Sequence, residues 1–94
     1  MMKKDNLYDS ICAELWEKHS LSALLFLLNT GRELNFIYEG KQCGIFRHEK
    51  RWILSGEPVG NQEFDTALEL ISYSNFNGKE FFEVWDNIEL KVLF

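Results

Sequence analysis

The spacing of the apolar residues changes once along the chain, and this change limits the folds that the chain can adopt. Before residue 30 the apolar residues recur about every four positions, whereas from residue 34 to residue 54 they recur every second position. The first period is that of a helix with one buried face, and the second is that of a half-buried strand. Helical and strand segments are therefore grouped, which predicts an α+β domain and not a parallel α/β sheet.

The predicted elements follow this change of period. An N-terminal helix or helix pair begins at Asp5-Asn6, with an interruption at His19-Ser20 and a stop at Gly31. A three-stranded antiparallel meander is predicted over 33–38, 41–47 and 51–55, followed by a loop over 56–62. Two C-terminal helices are predicted over 64–73 and 79–87, with a turn at 75–78, and residues 89–94 alternate as a final strand would.

The length of 94 residues predicts one domain, 1–94, with a thin core and little spare stability. The chain contains three Trp, three Tyr and eight Phe residues. Aromatic side chains can fill a thin core efficiently, because each buries roughly 150–250 Å².

No part of the sequence indicates export or insertion into a membrane. The first residues lack the apolar segment of a signal peptide, and the longest apolar stretch, 23–28, is far shorter than a membrane span. Two cysteines, Cys12 and Cys43, are too few for a small secreted disulfide scaffold. We therefore expect a cytoplasmic protein with free thiols and no membrane partner.

Negative charge is concentrated in the C-terminal part of the chain. Residues 1–56 contain eight Lys or Arg against seven Asp or Glu, whereas residues 57–94 contain two Lys against eight acidic residues. The net charge of −5 argues against direct binding of nucleic acid, which requires an excess of positive charge. An acidic surface of this kind repels phosphate and attracts basic protein surfaces.

No motif indicates a catalytic, cofactor or metal site. Cys12, His19, Cys43 and His48 could supply four zinc ligands, but zinc sites normally pair cysteines at close spacing, and these two cysteines are far apart. A Cys–His nucleophile pair at Cys43 is the other chemical alternative, although a cysteine inside a predicted strand packs more often than it reacts. The sequence therefore predicts no enzyme activity, no cofactor and no metal, and a small enzyme or metal protein is the weakest alternative.

The predicted C-terminal helices place acidic residues away from their apolar faces. At helical spacing Phe81 and Trp85 belong to the core, whereas Phe82 lies roughly 100° from Phe81 and is the better candidate for an exposed anchor. The carboxylates form either a surface that only keeps the protein in solution or a docking face for a basic protein partner. The candidate partner-binding residues are Glu63, Asp65, Glu69, Glu80, Phe82, Glu83 and Asp86.

The second helical stretch is apolar around its whole circumference from Ala23 to Leu28. Such a helix is either completely buried, or buried on one side in the domain and on the other side against a second copy. A homodimer is therefore an alternative to partner binding. The candidate self-association residues are Leu21, Leu24, Phe26, Leu27 and Leu28.

The predicted hairpin and the last predicted helix carry short motifs of turn, cap and core residues. Residues 31–41, GRELNFIYEGK, resemble the GREI-F-Y-NGK hairpin of small acidic proteins carried by phages and other mobile elements of low-G+C Gram-positive bacteria. Residues 77–88, NGKEFFEVWDNI, resemble the DGKSLKEIWDDI segment of the same group, and the apolar residues between 64 and 71 resemble its F-ELL segment. The resemblance covers about two-thirds of the chain and does not include residues 1–20. Its motifs contain no catalytic or ligand-binding signature. Small phage proteins of this size and charge include inhibitors of host defence, such as anti-CRISPR proteins, and the resemblance implies that role by analogy.

The leading hypothesis is a non-enzymatic binding module from a mobile element that presents carboxylates to a positively charged partner. Under the resemblance, this partner is a nucleic-acid-handling host enzyme, and the carboxylates occupy positions that phosphates would take. The alternative is a homodimeric structural or regulatory protein joined through the leucine-rich helix.

Overall fold

The computed structural model describes residues 7–94, in which helices pack on an antiparallel sheet, and the α+β class predicted from the sequence is confirmed. The predicted helix start at Asp5-Asn6 lies outside the described residues. No helix within residues 7–94 has the length and apolar composition needed to cross a membrane. The helices of this part of the chain are α1 (Leu7–Lys18), α2 (Leu21–Asn29), α3 (Ala67–Tyr73) and α4 (Phe81–Val84), and a 3-10 turn at Trp85–Asn87 continues α4.

The strands form a five-stranded sheet and a separate two-stranded ribbon. In chain order they are β1 (Leu34–Tyr38), β2 (Lys41–His48), β3 (Arg51–Gly56), β4 (Gly60–Phe64), β5 (Asn75–Phe76), β6 (Lys79–Glu80) and β7 (Ile88–Leu93). The order across the sheet is β4-β3-β2-β1-β7, which places the last strand beside the first. All neighbouring strands are antiparallel. The ribbon of β5 and β6 connects α3 to α4.

Local hydrogen bonds determine where α2 begins and ends. The Ser20 hydroxyl accepts a hydrogen bond from the Ala23 N–H at 3.1 Å, as an N-cap does. Gly31, with φ of 98°, stops the helix, and its N–H donates to the Leu28 carbonyl at 2.8 Å. The predicted interruption before α2 and the predicted glycine stop are therefore confirmed.

The sheet is larger than the predicted three-stranded meander. Residues 60–62, predicted as loop, belong to β4, where Gln62 lies opposite Leu54 and Asn61 opposite Ser55. Asn61, Gln62 and Glu63 are consecutive polar residues, so the period of the apolar residues gave no sign of this strand. The predicted final strand is confirmed as β7, which pairs with β1.

Both C-terminal helices are shorter than predicted. Phe64 belongs to β4, and α3 begins only after Thr66, whose hydroxyl accepts a hydrogen bond from the Glu69 N–H at 3.0 Å. Residues 79 and 80 form β6 instead of the start of the predicted helix over 79–87. The cause is a tight turn at Asn77 and Gly78, whose φ angles of 57° and 90° reverse the chain between β5 and β6.

The hydrophobic core lies between the helices and one face of the sheet. Leu34, Ile45 and Leu54 lie opposite one another on β1, β2 and β3, and all three are buried in this core. The helices contribute Leu15, four residues of α2 and the buried residues of α3 and α4. The strand residues that belong to the core share this face, and the helices cover it. The opposite face is here named the outer face, and within residues 7–94 no helix contributes to a core on that side.

Five aromatic rings, here named the aromatic chain, connect the sheet to the helices. Tyr38 of β1 meets Phe76 edge to face with ring centroids 5.1 Å apart, and Phe76 meets Phe81 in the same way at 5.4 Å. Phe81 stacks on Trp85 at 5.7 Å, and the His19 ring lies 4.3 Å from the Trp85 ring. Since such pairs add about 0.5–1.5 kcal/mol beyond the burial of their area, the aromatic chain holds the ribbon and α4 against β1.

Two reciprocal hydrogen bonds close the aromatic chain at its helical end. The Trp85 indole N–H donates to the His19 carbonyl at 2.8 Å, and His19 Nε2 donates to the Trp85 carbonyl at 2.7 Å. The second bond assigns the proton to Nε2, because a carbonyl oxygen can only accept. The two bonds tie the connection between α1 and α2 to the 3-10 turn that follows α4.

Trp85→Phe is expected to lower the free energy of unfolding by about 1–3 kcal/mol, because it replaces a buried indole by a smaller phenyl ring and removes the hydrogen bond to the His19 carbonyl. Trp16→Phe is the matched control, since Trp16 is 44% exposed, and its effect should stay within about 0.5 kcal/mol. Urea unfolding followed by far-ultraviolet circular dichroism measures both values. Equal losses in the two variants would contradict this role of Trp85.

Gly56→Ala is expected to destabilise the protein by about 1–3 kcal/mol through a steric clash. A Cβ at position 56 would lie 2.6 Å from Cys43 Sγ and 2.9 Å from the Gln42 carbonyl oxygen. Gly44→Ala is the control on the neighbouring strand, because its Cβ would meet the movable Asn35 Oδ1 at 3.2 Å. The same unfolding experiment compares them, and a Gly56→Ala protein as stable as Gly44→Ala would refute the clash.

Candidate protein-binding surface

Two exposed aromatic side chains and several carboxylates lie where α3 ends and α4 begins. In the ribbon Asn75 pairs with Glu80, which brings the end of α3 next to the start of α4. Tyr73 precedes this pair by two residues and Phe82 follows it by two, and their side chains are 75% and 72% exposed. No other large apolar side chain in the described part of the chain is as exposed. We use the name C-terminal helical surface for the acidic and aromatic residues that α3, β6, α4 and the 3-10 turn leave wholly or partly exposed: Glu69, Tyr73, Glu80, Phe82, Glu83 and Asp86.

The side-chain amide of Gln62 fastens the ribbon to the sheet. Gln62 Nε2 donates to the Asn75 carbonyl, and Gln62 Oε1 accepts from the Asn75 N–H, both at 2.8 Å. The same Nε2 donates to the Val59 carbonyl at 2.8 Å. The amide therefore reproduces the pair of hydrogen bonds that a neighbouring strand would make, and it places the C-terminal helical surface relative to the edge strand β4.

Hydrogen bonds to the backbone hold two carboxylates of this surface in place. Glu83 Oε1 accepts from the Glu80 N–H at 2.8 Å, as part of a capping box at the start of α4. Glu69 Oε1 accepts from the Asp65 N–H at 3.1 Å, just before α3. Asp86 is exposed on the 3-10 turn. Glu69 and Glu83 were singled out in the sequence only as acidic residues. In the structure they also stabilise the starts of α3 and α4.

Glu63 and Asp65, the other predicted partner-binding residues, lie in β4 and just after it, and both carboxylates contact Arg51. Glu63 is opposite Ile53 in β4, and its Oε1 is 3.5 Å from Arg51 Nε. Asp65 Oδ1 accepts a hydrogen bond from Arg51 Nη1. The structure thus divides the predicted set into two groups. Glu69, Glu80, Phe82, Glu83 and Asp86 lie on α3, α4, the 3-10 turn and the end of β6, whereas Glu63 and Asp65 lie beside the Arg51 guanidinium.

The predicted self-association residues are mostly inside the core. The side chains of Leu24, Leu27 and Leu28 are completely buried, and Leu21 is half-buried against the core. Phe26 is 39% exposed, in an open groove between α1 and α2 that Ile11, Glu14, Ser22 and Ala23 also line. The apolar circumference of α2 is thus explained by burial within the domain for three of the five residues.

The outer face of the sheet is a second surface, and the sequence did not predict it. Phe46 of β2 lies opposite Ile53 of β3 on this face, and Val92 of β7 lies opposite Asn35 of β1. Phe46 is 36% exposed and Val92 is 45% exposed. Phe94 follows Val92 by two residues and is 60% exposed. The signal in the sequence was the run Trp52-Ile53-Leu54, in which three consecutive buried residues break the alternation of a strand with one solvated face.

The cysteines and histidines considered as zinc ligands are not brought together. Cys43 is buried on the core face of β2, whereas His48 lies at the end of that strand with 71% of its side chain exposed. The ring of His19 bonds to the Trp85 carbonyl. Among residues 7–94 no three His, Cys, Asp or Glu side chains converge as metal ligands would. Burial raises the pKa of the Cys43 thiol, which disfavours the thiolate that a nucleophile requires.

Comparison with known proteins gives no relative for this chain. No protein-family model matches it, and neither a curated protein nor a solved structure is detectably similar.

Stability is expected to fall as the pH rises above about 8.5, the ordinary pKa of a free thiol. Because burial raises the pKa of Cys43, the folded state holds this proton more tightly than the unfolded state, and the resulting stabilisation is lost as the pH rises toward the folded pKa. Burial and the Glu39 carboxylate also raise the pKa of Tyr38. The loss of stability with rising pH is therefore expected to continue above about pH 10, the ordinary pKa of a tyrosine. Cys43→Ala should be less stable at neutral pH, with a flatter decline between about pH 8 and 10. Urea unfolding under reducing conditions tests this, and parallel declines for both proteins would exclude the thiol as the cause.

Proposed function

We propose that the protein is a non-enzymatic binding module whose C-terminal helical surface docks on a basic surface of another protein. The observation that carries the proposal is the exposure of Phe82 on α4, next to Glu83, and of Tyr73 at the end of α3, which the ribbon brings next to the start of α4. Exposed apolar patches rimmed by polar residues often mark interaction sites, and aromatic anchors are enriched at the centres of interfaces.

The carboxylates and the aromatic rings contribute differently to such an interface. A well-packed aromatic anchor is worth about 2 kcal/mol or more, whereas an exposed charge pair contributes only about 0–1 kcal/mol. The carboxylates therefore act mainly on the association rate and on the choice of a basic partner. Their effect is screened over roughly 10 Å at 0.1 M salt, so that binding weakens as salt is added.

The reactive side chains of the described residues support a function without catalysis. The Cys43 thiol is buried with a raised pKa, and it points to the Lys41 carbonyl at 3.9 Å. The His19 ring is bonded to the Trp85 carbonyl and packed on the indole, where it stabilises the fold. Cys43 and His19, the thiol and the imidazole with the most buried surroundings, therefore have structural roles.

The resemblance to small proteins of phages and mobile elements gives the proposed module a biological context. Under this proposal the partner is a nucleic-acid-handling host enzyme of a defence system, and the protein inhibits it in the cytoplasm. Carboxylates of Glu80, Glu83 and Asp86 would occupy positions that nucleic-acid phosphates take on that enzyme. The net charge of −6 over residues 57–94 supports an attraction to a phosphate-binding surface.

A photo-crosslinking aromatic amino acid at position 82 is expected to capture a basic protein from the lysate of a low-G+C Gram-positive host. The same amino acid at position 16 of α1, where Trp16 is 44% exposed, is the matched control and should not capture it. The captured protein is then purified, and its affinity for the unmodified chain is measured at several salt concentrations. Equal capture from both positions would refute docking through the C-terminal helical surface.

The charge contribution is tested with the triple variant Glu80→Gln, Glu83→Gln and Asp86→Asn. These changes remove three charges but keep the oxygen that accepts the Glu80 N–H, since glutamine also completes a capping box. We expect the Kd of the captured partner to rise about 10-fold at low salt and much less at high salt. A Kd that is the same for both proteins, or that does not change with salt, would contradict the electrostatic part of the proposal.

A further inference from the structure

We infer that Asn77 is a site of spontaneous deamidation, and that a hydrogen bond from the Gly78 N–H to the Asn75 side chain controls the rate of this modification. Asn77 and Gly78 form the tight turn between β5 and β6. The chemistry of this turn does not depend on the proposed function, whereas its effect on binding rests on that function.

Asn77 is the only one of the seven asparagines in the sequence that precedes a glycine. Deamidation begins when the backbone nitrogen of the following residue attacks the side-chain carbonyl carbon of the asparagine. A side chain on the following residue hinders this approach, and glycine has none. The other asparagines, at positions 6, 29, 35, 61, 75 and 87, precede Leu, Thr, Phe, Gln, Phe and Ile. The sequence therefore favours the reaction at position 77.

The turn gives the reaction access to solvent and space. Asn77 and Gly78 are both exposed. Among residues 7–94, chain neighbours apart, no heavy atom lies within 4 Å of the position that a Cβ of Gly78 would occupy. Water therefore reaches both the attacking nitrogen and the amide group that leaves.

The reaction is an intramolecular substitution that needs only water as a second reactant. The Gly78 nitrogen gives up its proton and forms a bond with Asn77 Cγ. The bond from Cγ to Nδ2 breaks, and Nδ2 takes up a proton and leaves as ammonia, so that a cyclic imide remains. Water then opens the imide at one of its two carbonyl carbons. Opening at Cγ gives aspartate at position 77, and opening at the main-chain carbonyl gives isoaspartate.

The fold restrains the attacking nitrogen. The Gly78 N–H donates a hydrogen bond to Asn75 Oδ1 at 2.6 Å. The nitrogen has to lose this proton and turn toward Asn77 Cγ, so the hydrogen bond must break before the imide can form. Asn75 is itself held in place, because its N–H and its carbonyl both bond to the Gln62 amide. Asn75 is therefore a positioning residue that slows the modification.

Either product changes the ribbon that precedes α4. Both products add a negative charge to the turn. Isoaspartate also adds a methylene group to the main chain, so that a two-residue turn no longer matches the pairing of Phe76 with Lys79. Because this ribbon brings the start of α4 next to the end of α3, we expect isoaspartate to disturb the position of Phe82.

The first test measures the rate of modification at position 77 in the intact chain. Native and urea-unfolded protein are kept at neutral pH in isotopically labelled water, and peptide mapping by mass spectrometry follows the labelled carboxyl group. We expect a slower reaction in the native protein. Asn75→Ala should raise the native rate about 5-fold, the equivalent of one hydrogen bond, and leave the rate in urea unchanged.

Asn75→Asp is the matched control, because its carboxylate oxygen also accepts the Gly78 N–H. This variant should react as slowly as the wild type in the native state. Equal native rates for wild type and Asn75→Ala would overturn the control by this hydrogen bond. A native Asn75→Ala protein that stays unmodified at position 77, or that is modified equally at its other asparagines, would overturn the site. Circular dichroism verifies that each variant is folded.

Asn77→Gly tests the effect of the modification on the ribbon. Glycine suits the φ of 57° at this position and has no amide to lose, so the variant keeps the turn and cannot react. After long incubation the wild type should unfold at lower urea concentration than before, whereas Asn77→Gly should not change. Equal stability of the two incubated proteins would overturn this effect. Rate and stability decide the inference without a partner, and only the affinity of the incubated wild type for a captured partner depends on the proposed function.

Discussion

The fold depends on the aromatic chain, which joins parts of the molecule that could not be stable alone. The ribbon has two residues in each strand, and α4 has four residues, so neither reaches the length at which isolated hairpins or helices form. Phe76 and Phe81 are completely buried between Tyr38 and Trp85, and this burial supplies the free energy that the local backbone lacks. Because Phe82 follows Phe81 directly, the burial of one ring on the core side fixes the exposure of the next on the outside.

The spacing of the apolar residues predicted the elements that bury apolar side chains at regular intervals along the chain. Both N-terminal helices, the first three strands and β7 belong to this class, and each was found close to its predicted place. β4 escaped prediction because it contributes hydrogen bonds more than apolar side chains: Asn61 and Glu63 are exposed, and Gln62 bonds to Asn75. The last helix was predicted to begin too early, because the helical spacing of Phe81 and Trp85 does not locate its first residue. The turn at Asn77 and Gly78 and the short strand β6 place that start at Phe81.

Residue type and spacing predicted only part of the candidate surfaces. Phe82 was singled out by its angle from Phe81, and its exposure follows from the same helical geometry. The pairing of Arg51 with Glu63 and Asp65 depends on the register of β3 and β4, which a sequence without a predicted β4 cannot supply. The outer face was missed for a related reason. Its members, Phe46, Val92 and Phe94, come from strands that are distant in sequence, and only the order of the strands makes them neighbours.

The carboxylates of the C-terminal helical surface serve the fold and the proposed interface through the same hydrogen bonds. A free glutamate on a surface loses about 1.5–2 kcal/mol of side-chain entropy when a partner orders it. Glu83, held by the Glu80 N–H, and Glu69, held by the Asp65 N–H, have lost much of that freedom before any partner arrives. Docking on them therefore carries a smaller entropic penalty, and it also favours partners whose cations match fixed positions. Replacing such residues with alanine would confuse binding with helix stability, whereas glutamine keeps the hydrogen bond and removes the charge.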